Sequence, residues 1–391
     1  MKHATPEMER EYKRFIVSAI KSLNQGNEEI KKVEKNSHPD FSNAAHKYSE
    51  ASRIFANAAE YALKNLDNDK VLAAANSAFD TFISEIDLWV KVKHSSLATS
   101  VAKEAEDIAK KYHLGEEKEK LAIGKSFGAL IELGTPLIKE SPYDAITLFV
   151  ITLEYADYKN LGEEKTREAA LLLYEARMEY GRTKDTPPHT YAIGSGYAGA
   201  AQVAKKYNLG RNKETKPANL AYEEYLFLAK SQIGKENEYP ELTFGYAAEM
   251  ALNHDLGIEK VEVPARKAYK IISSEGKEEF KEGKFDSALN SNIDSLEKAT
   301  KFDLKDEIEE ASANVYASGL EAIRKGKEGD LSDAIWAIGR VSEALSENPK
   351  YKEKLDVLRS LAKELERKVE QLKEDKEENT YKTWAREKRV D

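Results

Sequence analysis

Apolar side chains along this chain recur at helical spacing rather than in alternation. Residues 141–160, SPYDAITLFVITLEYADYKN, hold that spacing over about five turns. Leu161-Gly162 ends the run, glycine being the residue that most readily takes the left-handed conformation closing a helix. Glu163-Glu164 follows, acidic at the positive start of a second helix. The predicted unit is helix, tight turn, helix.

The unit recurs. IAKKYHLGEEK ending at Lys118, YADYKNLGEEK at Lys165, VAKKYNLGRNK at Lys213 and LNHDLGIEK at Lys260 align without gaps around their glycines. Gly115, Gly162, Gly210 and Gly257 are 47, 48 and 47 residues apart, and Leu114, Leu161, Leu209 and Leu256 keep the same steps. So do Ala109, Ala156, Ala204 and Ala251. Twelve residues after each glycine stands an aromatic: Phe127, Tyr174, Tyr222 and Tyr269. The register extends back to Phe79 and forward, one residue early, to Tyr316. Ala75, Ala170, Ala218, Ala265 and Ala313 recur as well, with Ile123 the exception. An alanine four residues before an aromatic shares its helix face, admitting a neighbouring helix while the ring fills the groove. The six aromatics are expected in equivalent buried sites.

Between these units, Gly283-Lys284-Phe285-Asp286-Ser287-Ala288 and Gly329-Asp330-Leu331-Ser332-Asp333-Ala334 resemble the inter-helix junction of tetratricopeptide repeats. Phe41-Ser42-Asn43-Ala44, with Tyr48 and Ala51, is similar to that family's second helix, and Asn348-Pro349 to its terminating pair. The period departs from the family's shorter one by roughly two turns in each of two helices. Long-helix relatives such as the SNAP-type vesicle-fusion adaptors are the nearer analogues. The resemblance implies an all-α fold, an α-solenoid of about six helical hairpins whose concave face binds peptides or helices.

Four segments follow. Residues 1–39 form an N-terminal helix (6–24) and a charged connector or short helix, and 40–350 the tetratricopeptide-like array. Residues 351–372 form a capping or coiled-coil helix. Residues 373–391 make a charged tail, expected to be mobile. In the third segment Leu355, Ala362 and Val369 alternate with Leu358, Leu365 and Leu372 as a heptad stripe, which suits packing on the last hairpin and also offers a route to homo-oligomers.

Composition narrows the function. Of 391 residues, 34% are charged, with 61 Lys and Arg against 70 Asp and Glu, so the net charge of −9 argues against a generally basic nucleic-acid binder. Cysteine is absent, which excludes disulfides, thiol catalysis and cysteine-ligated metals. Apolar runs such as Leu148–Ile151 fall far short of the ~18 residues of a membrane span. Glu7, Glu9 and Glu11 stand where a signal peptide needs an apolar stretch, so a cytoplasmic address is expected.

Candidate chemistry is sparse. Gly194-Ser195-Gly196-Tyr197-Ala198-Gly199 spells the dinucleotide-binding fingerprint, but no buried strand precedes it and the register places it inside a helix. Close helix packing explains the glycines; a groove opened by the missing side chains and bordered by Tyr191 and Tyr197 is the functional alternative. Gly124-Lys125-Ser126 lacks the earlier glycine of a phosphate-binding loop. The seven histidines show no metal-ligand spacing. No catalytic, cofactor-binding or metal-binding residue is assigned. The partner-binding candidates are Tyr191, Gly194, Gly196, Tyr197 and Gly199, with Trp384 in the tail. The expected function is a non-catalytic protein–protein interaction scaffold, with a self-assembling structural protein or a SNAP-like adaptor at membranes as alternatives.

Overall fold

The computed structural model describes residues 4–35, 39–183, 191–235 and 238–387, with the side chains of 375–376 and 378–387 outside that description. Among the described residues the chain is all α, with no strand. It divides into two units, Met1–Thr183 with Gly199–Glu214, and Lys184–Ala198 with Thr215–Asp391.

The first unit holds α1 (Pro6–Val33), α2 (Ser42–Asn65), α3 (Asn68–Lys91), α4 (Ser95–Lys111), α5 (Glu116–Glu140), α6 (Pro142–Tyr158) and α7 (Glu163–Arg182). Two helices, α8 (Tyr191–Lys206) and α9 (Arg211–Gln232), contribute residues to both units. The second unit continues with α10 (Pro240–Asn253), α11 (Ile258–Lys281), α12 (Phe285–Lys301), α13 (Lys305–Glu328) and α14 (Leu331–Ala344). A 3-10 turn (Pro349–Tyr351) and α15 (Lys352–Glu387) complete it. From α1 to α7, and again from α10 to α15, each helix packs on the next in sequence; α3 also meets α5, α5 meets α7, and α11 meets α13. Such nearest-neighbour packing is what a helical repeat requires.

Buried alanine makes the packing close. Ala45, Ala75, Ala105, Ala156 and Ala170 in the first unit have no exposed surface, nor do Ala247, Ala265, Ala299 and Ala311 in the second. Bulk comes from Phe79, Phe127 and Phe149 in one unit and from Phe244, Leu289 and Ile338 in the other, all fully buried. Of the six register aromatics, five are buried. Tyr316 is half-buried against Tyr351.

The turns revise the role expected of glycine. His113, Asn160, Asn208, Asp255 and Asp303 are the left-handed residues that close α4, α6, α8, α10 and α12, with φ between 48° and 53°. The leucine after each donates its backbone N–H to the alanine carbonyl five residues back, as Leu114 to Ala109 (2.9 Å) and Leu256 to Ala251 (2.9 Å). That bond is the long one of the Schellman motif, so the recurrent alanine and leucine mark its two ends. Gly115, Gly162 and Gly257 stand one step later, at the start of the following helix, with φ of 87–109° and ψ of 146–167°. Only glycine occupies that region without strain.

Both ends are more helical than the hydrophobic pattern suggests. α1 runs unbroken to Val33 rather than ending near residue 24. Gly26 does not interrupt it; a Cβ there would lie 2.8 Å from the Tyr48 ring, so the glycine lets α2 approach. At the other end, Leu355, Leu358 and Leu365 of the heptad stripe are buried, Ala362 and Val369 are half-buried, and Leu372 is exposed. α15 continues through part of the charged tail to Glu387.

Among the described residues one helix, α5, is long and apolar enough by composition to cross a membrane. Its Ala122, Phe127, Leu130 and Leu133 are buried, as in a core helix of a helical stack.

Candidate functional site

The glycine-containing segment lies inside α8, so its glycines do not open a helix after a strand as the dinucleotide fingerprint demands. Residues 184–190, which precede it, lie outside the described residues.

In the second unit, Gly194 faces Tyr225, where a Cβ would stand 2.6 Å from the ring carbon Cε1. The space left by the missing side chain is thus filled by tyrosine. Tyr225 in turn contacts Tyr191 and Tyr246, and the three ring centres are 5.4–5.9 Å apart in tilted arrangements. Burial pushes the Tyr225 hydroxyl well above the ordinary phenol range, and the Tyr191 hydroxyl is raised for the same reason. Even so, 51% of Tyr191 is exposed. Gly196 and Tyr197 are buried.

In the first unit, Gly199 faces the half-buried Arg177 guanidinium of α7, which any side chain at 199 would meet. Among the described residues Arg177 Nε is buried without a hydrogen-bond partner, and burial lowers the group's pKa. Trp384 belongs to α15, and its side chain lies outside the described residues.

A second set of residues lines up along the chain. Lys118 Nζ stands over the Phe79 ring, Lys165 over Phe127, Lys213 over Tyr174, Lys260 over Tyr222 and Lys354 over Tyr316, each 4.6–5.2 Å from the ring centre. Each lysine lies 38 or 39 residues after its aromatic, on the helix two further along. A cation over a ring face contributes ~0.5 kcal/mol when exposed and up to ~2 kcal/mol when desolvated. The register aromatic therefore fills its own hairpin and also receives an ammonium from the next. The four earlier lysines close the aligned strings read from the sequence, so the signal was present there; its partner was not visible, because contact between alternate helices leaves no local pattern.

Position 307 breaks the series. It stands 47 residues after Lys260 and 47 before Lys354, yet holds glutamate. Glu307 pairs with Arg266, beside Tyr269, whose hydroxyl burial pushes up to about 12. A cavity of about 330 Å³ opens there. A larger one, about 850 Å³, lies among α12, α13 and α14, lined by Ile293, Leu296, Thr300, Ile308 and Arg340.

Buried carboxylates supply little chemistry elsewhere. Glu85 accepts hydrogen bonds from Ser52 Oγ (2.9 Å) and Trp89 Nε1 (3.1 Å), and desolvation raises its pKa. With 1% of its surface exposed, it is closed to a substrate. Burial acts to raise the Glu106 pKa, but hydrogen bonds from Lys110 and Lys159 hold it low. Among the described residues, no three His, Asp or Glu side chains converge as metal ligands would.

No family model matches the chain, and no curated protein matches it. Among solved structures the chain is similar to one described as a "Circular tandem repeat protein with novel repeat topology and enhanced subunit contact surfaces". Identity is 12%, covering 94% of this chain and 90% of that one, with a TM-score of 0.34.

Proposed function

We infer that the protein is a non-catalytic helical-repeat scaffold of about six hairpins, with a 47–48-residue period, that binds a peptide or helix of a partner protein. The contact surface is the exposed edge of α8 at Tyr191. The observation that carries this reading is the Tyr191 ring, half exposed yet held by Tyr225 and Tyr246. A tyrosine fixed in place loses little freedom on binding, and it offers an apolar face with a hydroxyl at its tip. Phe227 and Leu242, exposed on α9 and α10, add apolar surface in the same unit. The buried Gly194, which Tyr225 packs against, lies in the same unit; Gly196, Tyr197, Gly199 and Trp384 are the remaining candidate positions.

A photo-crosslinking amino acid placed at Tyr191 in cells tests this, with Tyr158, more exposed at 78%, as the reference position. A defined heterologous adduct at 191 that is absent at 158 is the expected result. Adducts only between copies of the chain would replace the adaptor with a self-assembling structural protein. The same adducts at both positions, or none, would overturn the assignment of this surface.

A further inference from the structure

Five junctions place a lysine ammonium over the register aromatic, and the junction at Tyr269 does not. At the preceding junction Lys260 stands over Tyr222 and donates to Asn219 Oδ1 at 2.6 Å. Moving both positions forward by 47 residues turns Lys260 into Glu307 and Asn219 into Arg266. The polarity of the pair is reversed: Arg266 now donates to Glu307 Oε1. The ring keeps its place, but its ammonium is gone.

One buried acceptor is left over at this spot. Glu307 Oε2 has no hydrogen-bond partner among the described residues, whereas the nearby Tyr269 hydroxyl interacts with Ser273 and Glu310. Glu307, Tyr269 and Ser273 line the cavity and are 8%, 3% and 2% exposed. A buried carboxylate oxygen can only accept, so what it lacks is a donor, and a charged donor suits it best. Leaving such an atom bare costs about 1–3 kcal/mol. Arg266 does not supply it here: its guanidinium meets Glu307 through Oε1 and lies 3.7 Å from Glu262. The ionisable groups that line the cavity are Arg266, Lys270 and Lys277 against Asp306, Glu307 and Glu310. Lys277, across the cavity, is paired with Glu310 at 2.6 Å.

We propose that the cavity between α11 and α13 binds a primary alkylammonium group, which takes the place over Tyr269 that lysine holds at the other junctions and donates to Glu307 Oε2. An ammonium is a compact, charged donor, the kind that the bare Glu307 oxygen lacks. A volume of about 330 Å³ takes that head and an alkyl stem. A free alkylamine and the lysine side chain of a partner share this chemistry. The inference does not depend on the Tyr191 surface, which involves other helices.

Isothermal titration calorimetry of the full chain tests it. The probes are pentylammonium and an acetylated lysine tripeptide amide, each against its neutral counterpart, pentanol and the norleucine tripeptide. Saturable binding with a Kd near 1 mM or tighter is expected for a charged probe and not for its counterpart. Tighter binding of pentylammonium would assign the site to a small amine, and tighter binding of the peptide to a partner's lysine. Two variants close the argument: Glu307→Gln, and the double variant Arg266→Asn/Glu307→Lys, which installs the pair already present at the preceding junction. Both should weaken binding by about tenfold or more, with helicity kept. The double variant fills the site with its own ammonium, so it serves even if Glu307→Gln folds poorly. Equal response to charged and neutral probes, no saturable binding, or undiminished binding by the double variant would overturn the proposal.

Discussion

Lys118 Nζ lies 4.6 Å from the ring centre of Phe79, a side chain with no exposed surface, and 3.0 Å from the carboxylate of Asp80. One ammonium thus ties α5 to α3 through a ring and an ion pair. Lys118→Met keeps the apolar stem and removes the charge, so it should lower stability by ~0.5–2 kcal/mol. Asp80→Asn, which breaks only the exposed ion pair, should lower it by less than ~1 kcal/mol. Urea denaturation of both variants measures the difference. Equal losses would show that the ring contributes nothing.

The turn after α4 makes opposite demands on two residues. His113 holds φ at 52°, where a side chain is mildly strained, while Gly115 holds φ at 104° with ψ at 151°, where one is strongly strained. His113→Gly should therefore be neutral or raise stability by up to ~1 kcal/mol, whereas Gly115→Ala should lower it by ~1–3 kcal/mol. Thermal melts of the pair decide it. A destabilising His113→Gly beside a harmless Gly115→Ala would reverse the assignment of cap and start.

That assignment marks where the sequence was legible and where it was not. The Leu-Gly pair announced a turn at the right place. The chemistry of the stop lay elsewhere, in residues as different as His113, Asn160 and Asp255, because the left-handed cap tolerates several side chains while the next position tolerates one. The aromatic register was legible because each ring answers to its own helix face. Glu307 was not, since its meaning depends on a lysine that recurs at other junctions and on Arg266, 41 residues earlier. The unbroken run of α1 beyond residue 24 rests on Gly26 packing against Tyr48 of the next helix, a contact that spacing does not show. Among the candidate partner residues, spacing could not tell Tyr191, exposed, from Tyr197, buried six residues later.

Gly326 meets α14 by its backbone: a Cβ there would lie 2.5 Å from the backbone nitrogen of Ala334. No side-chain rotation relieves that approach. Gly326→Ala should lower stability by ~1–3 kcal/mol and lower the midpoint of thermal unfolding. Gly124→Ala, where nothing lies within 4 Å of the added carbon, should instead gain up to ~1 kcal/mol from helix propensity. Thermal unfolding of the two variants compares them.

Glu85 sets a pH dependence of known sign. Desolvation raises its folded pKa above the ordinary carboxyl value, so the native state binds this proton more tightly than the unfolded chain. Its contribution is then most favourable in acid and declines as pH rises from about 4.5 through the folded pKa. Glu85→Gln keeps an acceptor for Trp89 Nε1–H and an amide facing Ser52. The variant should match or exceed the parent at pH 7 and lose ground to it toward pH 4, as melts across that range would show. A constant offset at every pH would mean that Glu85 does not titrate differently on folding.

The glycines that begin α5 and α7 give the chain interchangeable joints. Excising residues 116–162 would join Gly115 to Glu163, setting one second helix after a backbone shape shared by both glycines. Lys165 would then fall at the sequence distance from Phe79 that Lys118 now keeps, and the ring would regain a cation. Length in such a chain is a heritable variable: unequal recombination between similar hairpins can shorten or extend it by a whole layer, and the joint that results is one the protein already contains.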